Sequence, residues 1–123
     1  MSPKRYLIAI PVAALDAAGT KLPSTLIDDW SNRVAKALTE WFGGATILAA
    51  PGASAAVQGE TEREQRLVLA ACDSRETFLA QRADVFALAA EVRRALSQET
   101  VLVLAFDSES FLVEDDAGPA GRA

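Results

Sequence analysis

Eight consecutive residues, Trp41-Phe42-Gly43-Gly44-Ala45-Thr46-Ile47-Leu48, constrain this chain more than any other stretch. An amphipathic helical pattern leads into them and an apolar run of strand formers leads out. The paired glycines fall where a helix stops, at a backbone conformation that is cheap only for glycine. A helix must turn sharply into a strand here, and the rest of the chain can be read outward from that junction.

Upstream, Tyr6-Leu7-Ile8-Ala9-Ile10-Pro11-Val12 reads as a first strand. It is apolar at every position rather than at alternate ones, so both of its faces are expected to be covered. Pro11 lacks a backbone donor and marks the strand's end. Residues 13–23 form a loop punctuated by Gly19 and Pro23. Ser24 then serves as a helix cap, with Asp28 and Asp29 in the first turn, where acids suit the helix dipole. Leu26, Ile27, Trp30, Val34, Leu38, Trp41 and Phe42 recur at spacings of three and four, one stripe of a helix running to Phe42.

Downstream, Ala45 to Ala50 is a second strand and Arg66 to Cys72 a third. A mobile loop of small residues joins them, opening with Pro51-Gly52 and ending in the charge alternation of residues 60–66. Asp73-Ser74 closes the third strand, and a second helix occupies part of Arg75 to Ser97. Its stripe is Val85, Leu88, Ala89, Val92 and Leu96, with Phe78, Leu79 and Phe86 alongside. Thr100 to Phe106 is a fourth strand, followed by a short extension at Ser110 to Val113. Residues 1–113 are expected to form one domain, and the breaker-rich residues 114–123 a flexible acidic tail.

Composition narrows the chemistry. Half of the 123 residues are hydrophobic, enough for a core of ordinary domain size. There is no histidine, which removes the usual general base and the usual zinc ligand, and no metal site is expected. The single cysteine, Cys72, lies in a strand-like run and reads as a buried thiol in a reducing compartment. The net charge is −5. From Asp107 onward there are five acids and one base, so the body keeps 12 acids and 11 bases and is nearly neutral. No basic stripe of the kind that binds nucleic acid is present. No apolar run approaches the roughly 20 residues that span a bilayer, and the N-terminal residues have no cleavage signature. A cytoplasmic protein, bound neither to nucleic acid nor to membrane, is expected.

The element order β-α-β-β-α-β is the split βαβ, or ferredoxin-like, arrangement. The expectation is an α+β sandwich: a four-stranded antiparallel sheet in order 4-1-3-2, with both helices on one face. Two helices cover only one face, yet strands one, three and four are apolar on both. A second copy is the simplest cover, so a homo-oligomer, a trimer or dimer, is expected. The alternative is a monomer whose open face is softened by small residues such as Ala9, Ala70, Ala71 and Ala105.

Phe42-Gly43-Gly44-Ala45-Thr46 at the end of helix one, the long loop after strand two, the Glu before strand three and Gln98-Glu99-Thr100-Val101 opening strand four resemble small uncharacterised bacterial and phage proteins. More distantly, the layout is similar to PII-like signalling proteins. That resemblance implies a trimer binding nucleotides or other small effectors in clefts between subunits, near the base of the loop.

The topology gathers Pro11, Ser24, Glu64, Gln98 and Glu99 at one end of the sheet as candidate ligand-binding residues. Glu64 and Glu99 are the catalytic candidates, since two carboxylates can share a proton or hold a divalent cation. Their ordinary reading is as solvated charges beside Arg63 or Arg66. Gly43-Gly44-Thr46 reads as a helix end rather than an anion cradle, because a helix C-terminus presents the wrong dipole sign. Trp30 and Trp41 read as core. No cofactor can be named. Three functions stay open: an oligomeric module binding a small ligand or partner through the 51–65 loop and the start of strand four, a small enzyme using Glu64 and Glu99, or a structural subunit of a bacterial or phage assembly.

Overall fold

The computed structural model describes residues 4–51, 64–109, 111–115 and 118–120. Among these residues there are six strands and two helices: β1 (Tyr6–Val12), α1 (Ser24–Phe42), β2 (Thr46–Pro51), β3 (Glu64–Cys72), α2 (Arg75–Ala95), β4 (Leu104–Asp107), β5 (Leu112–Asp115) and β6 (Gly118–Ala120). The first four strands make an antiparallel sheet in the order β2-β3-β1-β4, the expected order written from the other edge. β5 and β6 pair as a separate antiparallel hairpin. The fold is the ferredoxin-like α+β sandwich. Most of the loop expected over residues 51–65 lies outside the described residues.

Both helices form for local reasons. Along α1, Ile27, Val34, Leu38 and Phe42 are buried at helical spacing, and Ser31 among them is satisfied by donating its hydroxyl to the Ile27 carbonyl at 2.7 Å. Gly43 ends the helix at φ 95°, its N–H donating to the Thr39 carbonyl at 2.8 Å, so the first of the paired glycines is the left-handed one. The other end differs from expectation. Pro23, not Ser24, holds the cap position, and its carbonyl accepts from Leu26 and Ile27. The helix therefore starts one residue earlier, and Asp28 and Asp29 fall beyond the first turn. They meet bases instead: Asp29 pairs with Arg33 at 3.1 Å and Asp28 with Arg66 at 3.5 Å.

α2 opens at Ser74, whose hydroxyl accepts from the Thr77 N–H at 3.3 Å, with Glu76 in the first turn and Arg93 and Arg94 in the last. It closes without glycine. Ser97 takes φ 52°, its N–H donates to the Arg94 carbonyl, and the Gln98 N–H reaches back to the Arg93 carbonyl. This is the Schellman pattern on a residue that pays a steric cost for it.

The register sorts the sheet's side chains into two faces. On the helix side, the rows Ile47–Val68–Ile10 and Ala70–Ile8–Ala105 lie across the strands. Ile8, Ile10, Val12 and Val68 are wholly buried there with Val34, Leu38, Val85, Val92 and Leu96 from the helical side. Phe78 joins this core, but Leu79 and Phe86 do not: they are 37% and 51% exposed. Trp30 and Trp41 pack at the core's margin rather than inside it, and the Arg33 guanidinium sits 4.8 Å above the Trp30 ring.

Candidate functional site

Among the described residues, no helix lies over the other face of the sheet. Its rows are Leu48–Leu67–Pro11, Thr46–Leu69–Ala9–Leu104 and Ala71–Leu7–Phe106. Ala9, small and central between Leu69 and Leu104, is buried by its neighbours. Toward the edges the large side chains stand open: Leu48 is 44% exposed, Leu104 39% and Phe106 46%. The result is a continuous apolar surface across four strands, the kind that marks a contact site in soluble proteins.

Pro11 belongs to this surface. β4 begins at Leu104 opposite Ala9, so Pro11 sits past the last rung that β1 shares with β4, where a residue without an N–H is tolerated. The strand continues to Val12 on the β3 side, matching the expected stretch Tyr6 to Val12. β4 itself is shorter than expected: residues 100–103 have no ladder pairing, with Val101 and Val103 half-buried.

Gln98 is brought firmly into the sheet's Pro11 end. Its Nε2 donates to the Leu15 and Leu96 carbonyls, both at 2.8 Å, and the neighbouring Ser97 carbonyl accepts from Ala17 at 2.8 Å. These bonds tie the β1–α1 loop to the end of α2. The loop is ordered from within as well: the Asp16 carboxylate accepts from the Ala18 and Thr20 N–H groups, and Gly19 adopts φ 83°. Glu99 follows Gln98 and is exposed. Ser24 opens α1, also exposed. Glu64 begins β3 opposite Pro51, two positions before the Arg66–Val12 rung. The backbone thus assigns Pro11, Gln98 and Glu64 to one end of the sheet, while Gln98 is engaged as a structural tie. Among the described residues no cluster of three or more acidic or cysteine ligands is positioned to hold a metal ion.

The opposite end of the open face carries a cleft of about 510 Å³, lined by Lys4, Leu7, Gly43, Gly44, Thr46 and Leu69 among others. Sequence reasoning treated Gly43-Gly44 as a helix stop and missed the hollow they leave. Near it, Lys4 donates to the Asp73 carboxylate at 2.8 Å. Cys72 is buried on the helix side, and burial, more than the nearby Asp73 charge, pushes its thiol pKa up. A protonated, inaccessible thiol is no nucleophile.

No protein-family model matches this chain, and no curated protein does. Solved structures do. A phage SAM lyase in complex with S-methyl-5'-thioadenosine aligns with a TM-score of 0.57 and 17% identity, over 87% of this chain and 84% of the lyase. A phage SAM lyase in the apo state aligns with a TM-score of 0.50 and 22% identity, over 85% and 81%. A designed ferredoxin-fold protein lies further off, at a TM-score of 0.38 and 11% identity. At these identities the likeness is one of fold. The ferredoxin-like layout stands, and the PII-like resemblance gains no support. No helix among the described residues is long and apolar enough to cross a membrane.

Proposed function

We propose that this chain is a homo-oligomeric binder of a small adenosine-bearing ligand of the S-methyl-5'-thioadenosine and SAM class. The observation that carries this reading is the end-to-end likeness to a lyase holding S-methyl-5'-thioadenosine, 87% of one chain against 84% of the other. The uncovered face supports the oligomer. Leu48, Leu104 and Phe106 would be hidden by a second copy, and each large apolar side chain removed from water contributes about 1–3 kcal/mol. The ligand's place is the Pro11 end of the sheet, with Pro11, Ser24, Glu64, Gln98 and Glu99 at its rim.

A second reading is lyase chemistry on SAM itself. SAM carries a sulfonium cation. A base takes a proton from the carbon next to the sulfur-bearing carbon of the amino-acid arm, a C=C bond forms there as the C–S bond breaks, and the electron pair of that bond leaves on sulfur as the neutral thioether. Glu64 and Glu99 are the candidates for this step, because a carboxylate holds the cation and, in a chain without histidine, is the side chain best suited to take a proton near neutral pH. One experiment serves both readings. Calorimetric titration with S-methyl-5'-thioadenosine tests binding, and mass spectrometry of SAM incubated with the protein tests turnover. Saturable binding without product supports the binder. Formation of S-methyl-5'-thioadenosine that Glu64→Gln or Glu99→Gln lowers by about tenfold or more supports the lyase. Neither binding nor product overturns both.

A further inference from the structure

Away from the open face, α2 and the unpaired residues before β4 border an open cleft of about 310 Å³. Its walls are Phe86, Ala89 and Ala90 from α2 and Val101 and Val103 from the chain beside it, and Arg93 is the charged group lining it. Phe86, Ala89, Ala90 and Arg93 share one face of the helix at spacings of three and four. Phe86 is 51% exposed, and it lies on the helix layer, so a copy docked on the open sheet face would leave it uncovered. The two alanines make room that a larger residue would close. Among the described residues Arg93 forms no ion pair and no side-chain hydrogen bond, leaving its planar fork of donors open at the mouth of an apolar hollow.

We propose that this cleft is a second binding site, taking a small monocarboxylic acid with an apolar body. The body fills the hollow between Phe86 and the two valines, and the carboxylate pairs with the Arg93 guanidinium in the two-pronged geometry that arginine favours. The volume stands at the lower end of the range for small-molecule sites, so the acid is of about ten heavy atoms. The site needs neither the open sheet face nor the Pro11 end, and it holds or fails independently of the adenosine reading.

The test uses octanoate as the probe, with 1-octanol as the same body without the charge. Both are titrated into the full chain while amide shifts are followed by two-dimensional NMR. Saturable octanoate shifts are expected on residues 85–93 and 101–103, with octanol weaker by about tenfold, the scale of one charge-assisted pair. Arg93→Gln should erase the preference for octanoate while leaving the octanol shifts in place. Ala90→Leu should abolish both, with amides elsewhere in the spectrum unmoved to certify the fold. Equal binding of the two probes, shifts spread over the open sheet face, or unchanged binding in Ala90→Leu would each overturn the proposal.

Discussion

Ile10 and Val68 face one another on the helix side of the sheet and are fully buried, while Leu104 and Phe106, on the other face of the same sheet, are 39% and 46% exposed. The strands are equally apolar on both sides. What differs is the cover. α1 and α2 occupy one side, and among the described residues no third layer covers the other. A strand's composition therefore reports how much of it is meant to be dry, and the topology reports how much the chain can dry by itself. The difference between the two marks the apolar surface that the described residues leave open.

The sharpest way to break this comparison is a pair of neighbouring substitutions in β3. Val68→Asp puts an unpaired charge among Ile8, Ile10 and the helices, at a cost above about 4 kcal/mol, comparable to the whole stability of a small domain. Loss of the circular dichroism signal is expected. Leu69→Asp, one residue on and facing outward, should leave a folded monomer, destabilised by about 1–2 kcal/mol, and abolish assembly in native mass spectrometry. Unfolding by both variants, or assembly unaffected by Leu69→Asp, would erase the distinction between the faces.

A second pair sharpens it through reactivity. Cys72 is wholly buried and its thiol pKa is raised, first by burial. The folded chain thus holds the thiol proton more tightly than the unfolded chain. The stability this contributes is complete below the ordinary cysteine range, and it is lost as pH rises through the folded value. The melting temperature should fall above about pH 8.5, by more in the parent protein than in Cys72→Ala. Disulfide exchange at Cys72 should be slower by about a hundredfold than at a thiol made by Ala71→Cys in the Cys72→Ala background, because residue 71 faces the open side. That second rate should fall as protein concentration rises, if a copy covers the face. Equal rates at the two positions would mean that Cys72 is reached from solvent.

Much of this was legible in the sequence, for reasons that particular residues make plain. The α1 stripe and the paired glycines located the C-terminal end of the first helix near Phe42, since a 3.6 period and a left-handed stop have few alternatives, and the structure puts that stop at Gly43. Six elements in the order β-α-β-β-α-β then left one common topology. The helix start was misread at Ser24 because a favoured cap residue outranked Pro23, whose carbonyl does the work without any side chain. β4 was read too long because Val101-Leu102-Val103 is a continuous run of strand formers, and only the three-dimensional path shows that ladder pairing with β1 begins at Leu104. The site was less legible. Gln98 was read as a rim residue, but nothing in the sequence pointed to its second role: its amide bridges the Leu15 and Leu96 carbonyls, 83 and two residues away, a pairing no local pattern announces. The cleft beside Phe86 was hidden for the opposite reason: an aromatic near a helical stripe reads as core, and its exposure depends on how far β4 extends.

The smallest expected effect lies at the sheet's β2 edge, where the two faces are almost equally open. Ile47 pairs with Val68 on the helix side yet is 38% exposed, and its neighbour Leu48, on the open face, is 44% exposed. Exposure alone no longer separates them, because the helices do not fully cover β2. Ile47→Ala and Leu48→Ala should each cost the monomer about 1 kcal/mol, measured by urea denaturation at low protein concentration. Their effects on assembly should differ. Leu48→Ala removes part of the open face and, if a copy covers that face, should weaken association by about tenfold, while Ile47→Ala leaves it unchanged. Equal weakening would place the contact around the sheet's edge rather than across its face, since only an edge contact reaches both side chains.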